Sequence, residues 1–362
     1  MADDDSAIGA GCVRPLEVSP GVFVRCGSRV KSQCPSCAEL YRGDWAAIAR
    51  SGIFDGPVER FRFFLLTLTA PSFGKVHRVP RTAGDAVGVC ACGAAHTPDD
   101  AGLRGVPLDP GSYDYAGQVA WTRDSGTLWD RTRRRVRDRW DSAEFFLVRE
   151  WQDRGVLHAH VLVRIGRWEA PAAAQLELAA RSAVATSKVD GTLVEWGEQS
   201  RCDVFRADGD GAKTVWYLSK ALNYVLKDVS REVGRVSPAW EHLARLAAAA
   251  RSMRCSPVCD PLSCTSRVHD RFGARSHVVS ASRRTRHRTG WSFTGLTRTL
   301  QRRLRAEWVV GREQERSAEL APAVVVVPTM PGAGPSAGAP ARGAPQGPRA
   351  GGLRWPALAR SR

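Results

Sequence analysis

Residues 145–165 read Phe-Phe-Leu-Val-Arg-Glu-Trp-Gln-Asp-Arg-Gly-Val-Leu-His-Ala-His-Val-Leu-Val-Arg-Ile, and the two histidines inside that apolar run decide how the rest of the chain is read. Side chains alternate faces along a strand, so His158 and His160 share one face while Leu157, Ala159, Val161 and Val163 share the other. Asp153-Arg154-Gly155 is polar and ends in glycine, the character of a short hairpin loop. A loop there predicts that Glu150, on the incoming strand, falls opposite His158. The hairpin then presents two imidazoles and one carboxylate on a single face, a donor set for Mg2+ or Mn2+ with open coordination positions. The competing reading is a hydrogen-bonded core pair, against which the acidic neighbour across the hairpin weighs.

A second segment, residues 214–229, reads Thr-Val-Trp-Tyr-Leu-Ser-Lys-Ala-Leu-Asn-Tyr-Val-Leu-Lys-Asp-Val. Val215, Leu218, Leu222, Val225, Leu226 and Val229 recur at the spacing of an amphipathic helix. A different stripe carries Tyr217, Lys220, Tyr224 and Lys227, neighbours on one helix face and two copies of Tyr-x-x-Lys. A phenol with a pKa of about 10 is a weak nucleophile. A lysine one turn away orients a phosphate and favours phenolate character. Alone, this stripe also reads as amphipathic side chains at a solvent boundary. Together with the hairpin, the parts are those of a phosphodiester transesterification site.

His158-Ala159-His160 combined with the Tyr-x-x-Lys helix resembles the HUH endonucleases, and Phe64-Leu65-Leu66-Thr67-Leu68-Thr69 resembles their first, buried-strand motif. Closer is the similarity to actinobacterial plasmid replication initiators of the RepSA type. It is carried by residues 34–41, by 67–77 (Thr-Leu-Thr-Ala-Pro-Ser-Phe-Gly-Lys-Val-His), by 107–116, by 154–160 and by the tyrosine helix, in that order. The resemblance spans about residues 25–300. It implies rolling-circle initiation, in which a nickase cuts one strand at an origin, a tyrosine becomes linked to the 5′ phosphate, and the freed 3′ hydroxyl primes synthesis. It also implies an HUH/RRM-like palm. One departure stands out: where the family abuts its two Tyr-x-x-Lys copies, Ala221, Leu222 and Asn223 intervene here. Tyr224, followed by Lys227 and Asp228, resembles the second copy and is the favoured nucleophile, with Tyr217 the contender. The sequence holds no Gly-x-x-x-x-Gly-Lys-Ser/Thr loop, so helicase and polymerase activities are expected from host partners.

Charge agrees with a DNA partner. The formal net charge is +16, from 53 basic against 37 acidic residues, a field that attracts polyanions with salt-sensitive affinity. Arginines crowd residues 131–139 and 283–288, which marks Arg133, Arg134, Arg135, Arg283 and Arg284 as candidate contacts to origin DNA, single-stranded or hairpin. A solvated helical face is the alternative for the first cluster.

The start of the chain, Met-Ala-Asp-Asp-Asp-Ser, lacks the basic and apolar regions of a secretory signal, and no stretch approaches the ~18 apolar residues of a membrane span. A cytoplasmic protein is expected, with no membrane partner. There, clustered cysteines more often hold metal than form disulfides. Of ten cysteines, Cys34-Pro-Ser-Cys37 supplies one half of a structural zinc site, and Cys90-Ala-Cys92 with His96 the other. Cys26 competes as fourth ligand. Cys255, Cys259, Cys264 and His269 form a looser set, for which free thiols are the alternative, and Cys12 and Cys202 read as incidental.

These marks predict an α+β fold with a central antiparallel sheet, helices on one face and the metal on the other. The expected order is a flexible leader over 1–20 and a cysteine-rich zinc segment over 21–110, interleaved with the first catalytic strand. A nickase core follows over 111–232, then a basic DNA-contacting region over 233–310 and a disordered Pro/Gly/Ala-rich tail over 311–362. Three functions fit: a rolling-circle initiator nickase, an HUH relaxase or transposase, and a non-catalytic zinc-stabilised DNA-binding protein.

Overall fold

The computed structural model describes residues 11–19, 22–29, 31–54, 57–85, 87–209, 211–214, 237–274, 279–283 and 290–291. All lie in the first of two units, Met1–Val309. Tyr217, Lys220, Tyr224, Lys227 and Arg284 fall outside the described residues, as do 1–10 and everything beyond 291.

The alternation in the histidine segment is realised as the middle strand of a sheet. In chain order the strands are β1 (Leu16–Ser19), β2 (Val22–Val24), β3 (Phe61–Leu68), β4 (Glu144–Trp151), β5 (Leu157–Gly166), β6 (Val184–Thr186), β7 (Leu193–Glu195), β8 (Arg201–Phe205) and β9 (Val279–Ala281). The α-helices are α1 (Pro35–Phe54), α2 (Tyr115–Arg139), α3 (Ala173–Arg181) and α4 (Pro238–Ser252). Five strands form an antiparallel sheet in the order β8-β3-β5-β4-β9, and two small hairpins, β1-β2 and β6-β7, stand apart from it. Local chemistry sets the helix starts. Asp114 accepts the Gly117 N–H at 2.7 Å to begin α2, and Ser237, followed by Pro238, accepts the Trp240 N–H to begin α4.

The odd residues of β5 (Ala159, Val161, Val163, Ile165) pack with Phe64, Leu66, Phe145 and Leu147. Trp121, Leu128, Trp129 and Val136 of α2 and Leu176 and Ala180 of α3 close that face. The opposite face carries Leu162, Phe63, Phe146 and Val148, covered by Ile48, Ala49 and Ile53 of α1 and by Trp291. Helices therefore lie on both faces, which corrects the expectation of helices on one face only. The residues read as a cysteine segment contain α1, whose Ala38, Tyr41, Trp45, Ile48 and Ala49 recur at helical steps. The sheet end that holds the histidines shares its face with this second core.

A buried ionic network ties that core together. Arg164 is fully buried and reaches Glu144, also buried, through two donors, the Nε–H at 2.7 Å. Its guanidinium also donates to the carbonyls of Gly52 (2.9 Å) and Gly290, while the Gly290 N–H donates to Glu144 at 2.7 Å. The guanidinium stacks over the Trp291 ring, 5.1 Å from its centroid. Trp291 fits because residue 52 is glycine: a Cβ there would sit 2.1 Å from the indole nitrogen.

Candidate functional site

The hairpin folds as its sequence predicts. Glu150 is paired with His158 and Val148 with His160, while on the other side Thr67 of β3 pairs with His160. The turn closes through Gln152 N–H to Val156 O and Gly155 N–H to Gln152 O, both 2.9 Å, with Gly155 at φ 71°, a conformation that suits glycine. One face thus brings together Glu150, His158 and His160. His160 Nε2 lies 3.2 Å from Glu150 Oε2, and the two imidazole centroids are 4.6 Å apart. His160 is buried and His158 partly so.

Outer contacts orient both rings. Thr67 Oγ1 lies 3.3 Å from His160 Nδ1, and the Gln152 amide 3.1 Å from His158 Nδ1. Arg154 Nε in turn donates to Gln152 Oε1 at 3.0 Å, while its guanidinium holds the carbonyls of Pro71 and Ala70. These contacts fix the planes of both rings; with Gln152 Oε1 taken by Arg154, the Gln152 amide N–H donates to His158 Nδ1. Thr67, Gln152 and Arg154 were not singled out as site residues from the sequence; Gln152 and Arg154 carry a signal, because one precedes the predicted turn and the other lies in it. On the edge strand, Arg201 pairs with Thr67 in register and so stands in the row Arg201, Thr67, His160, Val148. It is a further cation on the imidazole face.

Burial depresses the His158 imidazolium to about 3, aided by His160 and Arg154 beside it. The ring is therefore neutral, and able to ligate, throughout the physiological range. The folded pKa lies below the ordinary 6.5, so the contribution of His158 to stability is complete above that pH and is lost as pH falls toward 3. Replacing His158 with Gln is expected to flatten the loss of stability between about pH 6 and about pH 4, read from urea midpoints. An unchanged slope would count against a buried neutral imidazole.

The cysteines sort differently from their sequence order. Among the described residues, three sets have ligand atoms all within 4.8 Å of one another: Cys12, Cys26, Cys34 and Cys37; His77, Cys90, Cys92 and His96; and Cys255, Cys259, Cys264 and His269. The Glu150–His158–His160 trio is not among them and is the more open arrangement. Cys34 and Cys37 therefore do not share a site with Cys90 and Cys92, as the sequence reading had them. Cys12, read as incidental, and Cys26 complete the first set, because β1 and β2 lead the chain from Cys12 back past the start of α1. His77 and His96 complete the second.

A tetrahedral zinc with Zn–S of about 2.3 Å and Zn–N of about 2.0 Å sets ligand–ligand edges of about 3.3–3.8 Å. In the first set the Cys26–Cys37 and Cys12–Cys37 sulfurs are 3.7 Å apart and Cys12–Cys34 3.9 Å. In the second, Cys92 Sγ is 3.3 Å from His96 Nε2, and His77 Nδ1 lies 3.1 Å from that same nitrogen. His96 Nδ1 lies 3.2 Å from the Asp100 carboxylate, a carboxylate–histidine pairing that orients a ligand ring. A backbone N–H from Cys26 pulls the Cys12 thiol down to about 6, whereas burial pushes Cys37 up to about 12. These sets can hold a metal ion and are consistent with structural zinc.

The predicted basic contacts divide. Arg134 and Arg135 are exposed on α2, and Arg283 is exposed beyond β9. Arg133 is paired with Asp130 at 2.7 Å. Because α2 packs on the sheet face opposite the imidazoles, Arg134 and Arg135 do not border the Glu150–His158–His160 trio. No helix among the described residues is long and apolar enough to cross a membrane.

Residues 16–333 match the family described as RepSA, replication initiator protein, pSAM2, and the chain belongs to that family of replication initiators. A replication initiator protein of Streptomyces ambofaciens is 31% identical over 324 residues, covering 74% of this chain and 68% of that relative. No solved structure matches.

Proposed function

We propose that this initiator is a metal-dependent, strand-specific DNA endonuclease and strand transferase of the HUH type, built on an HUH/RRM-like palm and acting at an origin of rolling-circle replication. The observation that supports this best is the convergence of Glu150, His158 and His160 on one hairpin face in a chain of this family. Glu150, His158 and His160 would hold Mg2+ or Mn2+, which when bound polarises the scissile phosphate and offsets charge on its oxygens. His158, held neutral by burial, sets no imidazolium charge against a cation, and Thr67 and Gln152 fix the planes of the two rings.

The nucleophile is Tyr224, with Tyr217 the alternative. Its phenol oxygen forms the bond to phosphorus as the bond from phosphorus to the 3′ oxygen breaks. The phenol proton leaves, the 3′ oxygen departs as a hydroxyl, and Lys220 or Lys227 offsets phosphate charge. The phosphotyrosine retains the energy of the phosphodiester, so religation needs no nucleotide. Residues 111–232 form the nickase core in this reading. Arg201 guides the single strand across the sheet, while Arg133, Arg134, Arg135, Arg283 and Arg284 bind flanking duplex or hairpin. A host helicase and polymerase extend the freed end.

The test incubates end-labelled single-stranded oligonucleotides, carrying candidate origin hairpins, with Mn2+ and the wild type, Tyr217→Phe or Tyr224→Phe protein. A covalent adduct on a denaturing gel that disappears in Tyr224→Phe alone is expected. An adduct that persists in both single variants and in the double variant would remove tyrosine from the mechanism.

A further inference from the structure

Cys255, Cys259, Cys264 and His269 lie in the loop after α4, at irregular spacing in the sequence and at regular spacing in space. Cys255 and Cys264 sulfurs are 3.7 Å apart, and Cys259 Sγ is 3.6 Å from His269 Nε2. Both are edges of a zinc-sized tetrahedron, and 3.7 Å is far beyond the ~2.05 Å of a disulfide. His269 supplies an independent sign. Its Nδ1–H donates to the Ala250 carbonyl at 2.8 Å, which fixes the tautomer and leaves the Nε2 lone pair directed at the thiols. Three of the four ligands, Cys255, Cys259 and His269, are buried in a loop that offers little other core.

The loop is wired to the histidine hairpin by two routes. Phe272 stacks edge-on against Trp151 at the end of β4, with centroids 5.8 Å apart. Phe272 holds a left-handed φ of 46°, a conformation that costs a non-glycine residue about 1–3 kcal/mol and persists only where the surroundings impose it. The second route runs through α4. His269 grips its last turn at Ala250, while His242 on the same helix lies 3.0 Å from the Arg154 carbonyl at the hairpin tip. Leu246 and Leu243 of α4 line the space beside Gly155, where a Cβ would come within 2.7 Å and 3.4 Å of them. Arg123 of α2 anchors the start of the loop by donating to the Arg254 carbonyl at 3.0 Å.

We propose that Cys255, Cys259, Cys264 and His269 bind a zinc ion of their own, separate from the two N-terminal sets, and that this zinc shapes residues 254–274 into a brace for the tip of the hairpin that carries His158 and His160. The proposal concerns the fold of the hairpin and stands apart from the nicking reading.

The experiment counts zinc in the purified full chain and maps native thiols by alkylation and mass spectrometry. Hydrogen exchange is followed in peptides spanning 152–158 and 238–252. The wild type is expected to hold zinc in all three sets. Cys255, Cys259 and Cys264 are expected to be protected until a chelator is added. His269→Ala should lose one equivalent and His269→Cys should keep it. The lost equivalent should speed exchange in both peptides at least tenfold, while Cys202→Ser changes neither. Native alkylation of Cys255, Cys259 and Cys264 at the chelated rate would overturn the site, and needs no variant to fold. Loss of the equivalent with unaltered exchange at 152–158 would overturn the brace.

Discussion

Replacing His160 with alanine is expected to lower Mn2+ affinity and adduct formation by at least about 100-fold, since even a residue that only orients a ligand accounts for about 10–100-fold. His160 is the ring nearest Glu150, at 3.2 Å, and the one that Thr67 steadies. The variant leaves a buried cavity beside Val148, so Mn2+ binding by spin resonance is to be read alongside a thermal unfolding curve. Gln152→Ala, which removes the partner of His158 Nδ1 together with the acceptor of Arg154 Nε, should fall within that ~10–100-fold range with little change in unfolding. A His160→Ala protein that is folded and binds Mn2+ like wild type would eliminate the hairpin as a metal centre and leave the initiator to work by DNA binding alone.

The largest effect on stability belongs to the Arg164–Glu144 pair. Removing one partner of a buried, hydrogen-bonded ion pair strands the other charge away from water and costs about 3–5 kcal/mol. Glu144→Ala would leave a guanidinium facing two carbonyls and the Trp291 ring, and would also orphan the Gly290 N–H. A urea midpoint shifted by that amount is expected, and Glu144→Leu with Arg164→Met should recover much of it. If the double substitution were as damaging as Glu144→Ala, shape and not charge would be what the pair provides.

The histidine hairpin was legible because its logic is local. Alternation, a polar glycine-ended turn and the count of residues between Glu150 and His158 fix which side chains meet, and β4 and β5 form at that register. The two N-terminal cysteine sets were not legible, because ligand spacing along the chain says nothing of which knuckles converge, whereas Cys255, Cys259, Cys264 and His269 were already grouped by their nearness in sequence. Cys12 meets Cys34 and Cys37 only after β1 and β2 fold the chain back, and Cys90 finds His77 rather than Cys34. The strand β8 and the three-residue β9 are too short to show a pattern, yet they set both edges of the sheet. Helix α1 is masked for a different reason: its cysteines point to metal, although its Ala, Tyr, Trp and Ile recur at helical steps.

The strand order has a consequence for how the chain is made. β3 must wait for β5, roughly a hundred residues later, and β4 pairs with β9 only after more than a hundred more have been synthesised. Gly290, which completes the shell around Arg164 and Glu144, comes last of all. Such distant pairings make for slow folding and long exposure of sticky edges. A nascent chain that has already displayed its histidines thus still lacks the keystone of its second core. Termination upstream of residue 290 would leave Arg164 and Glu144 without the Gly290 carbonyl and N–H, so a chain cut short there is expected to aggregate rather than to fold.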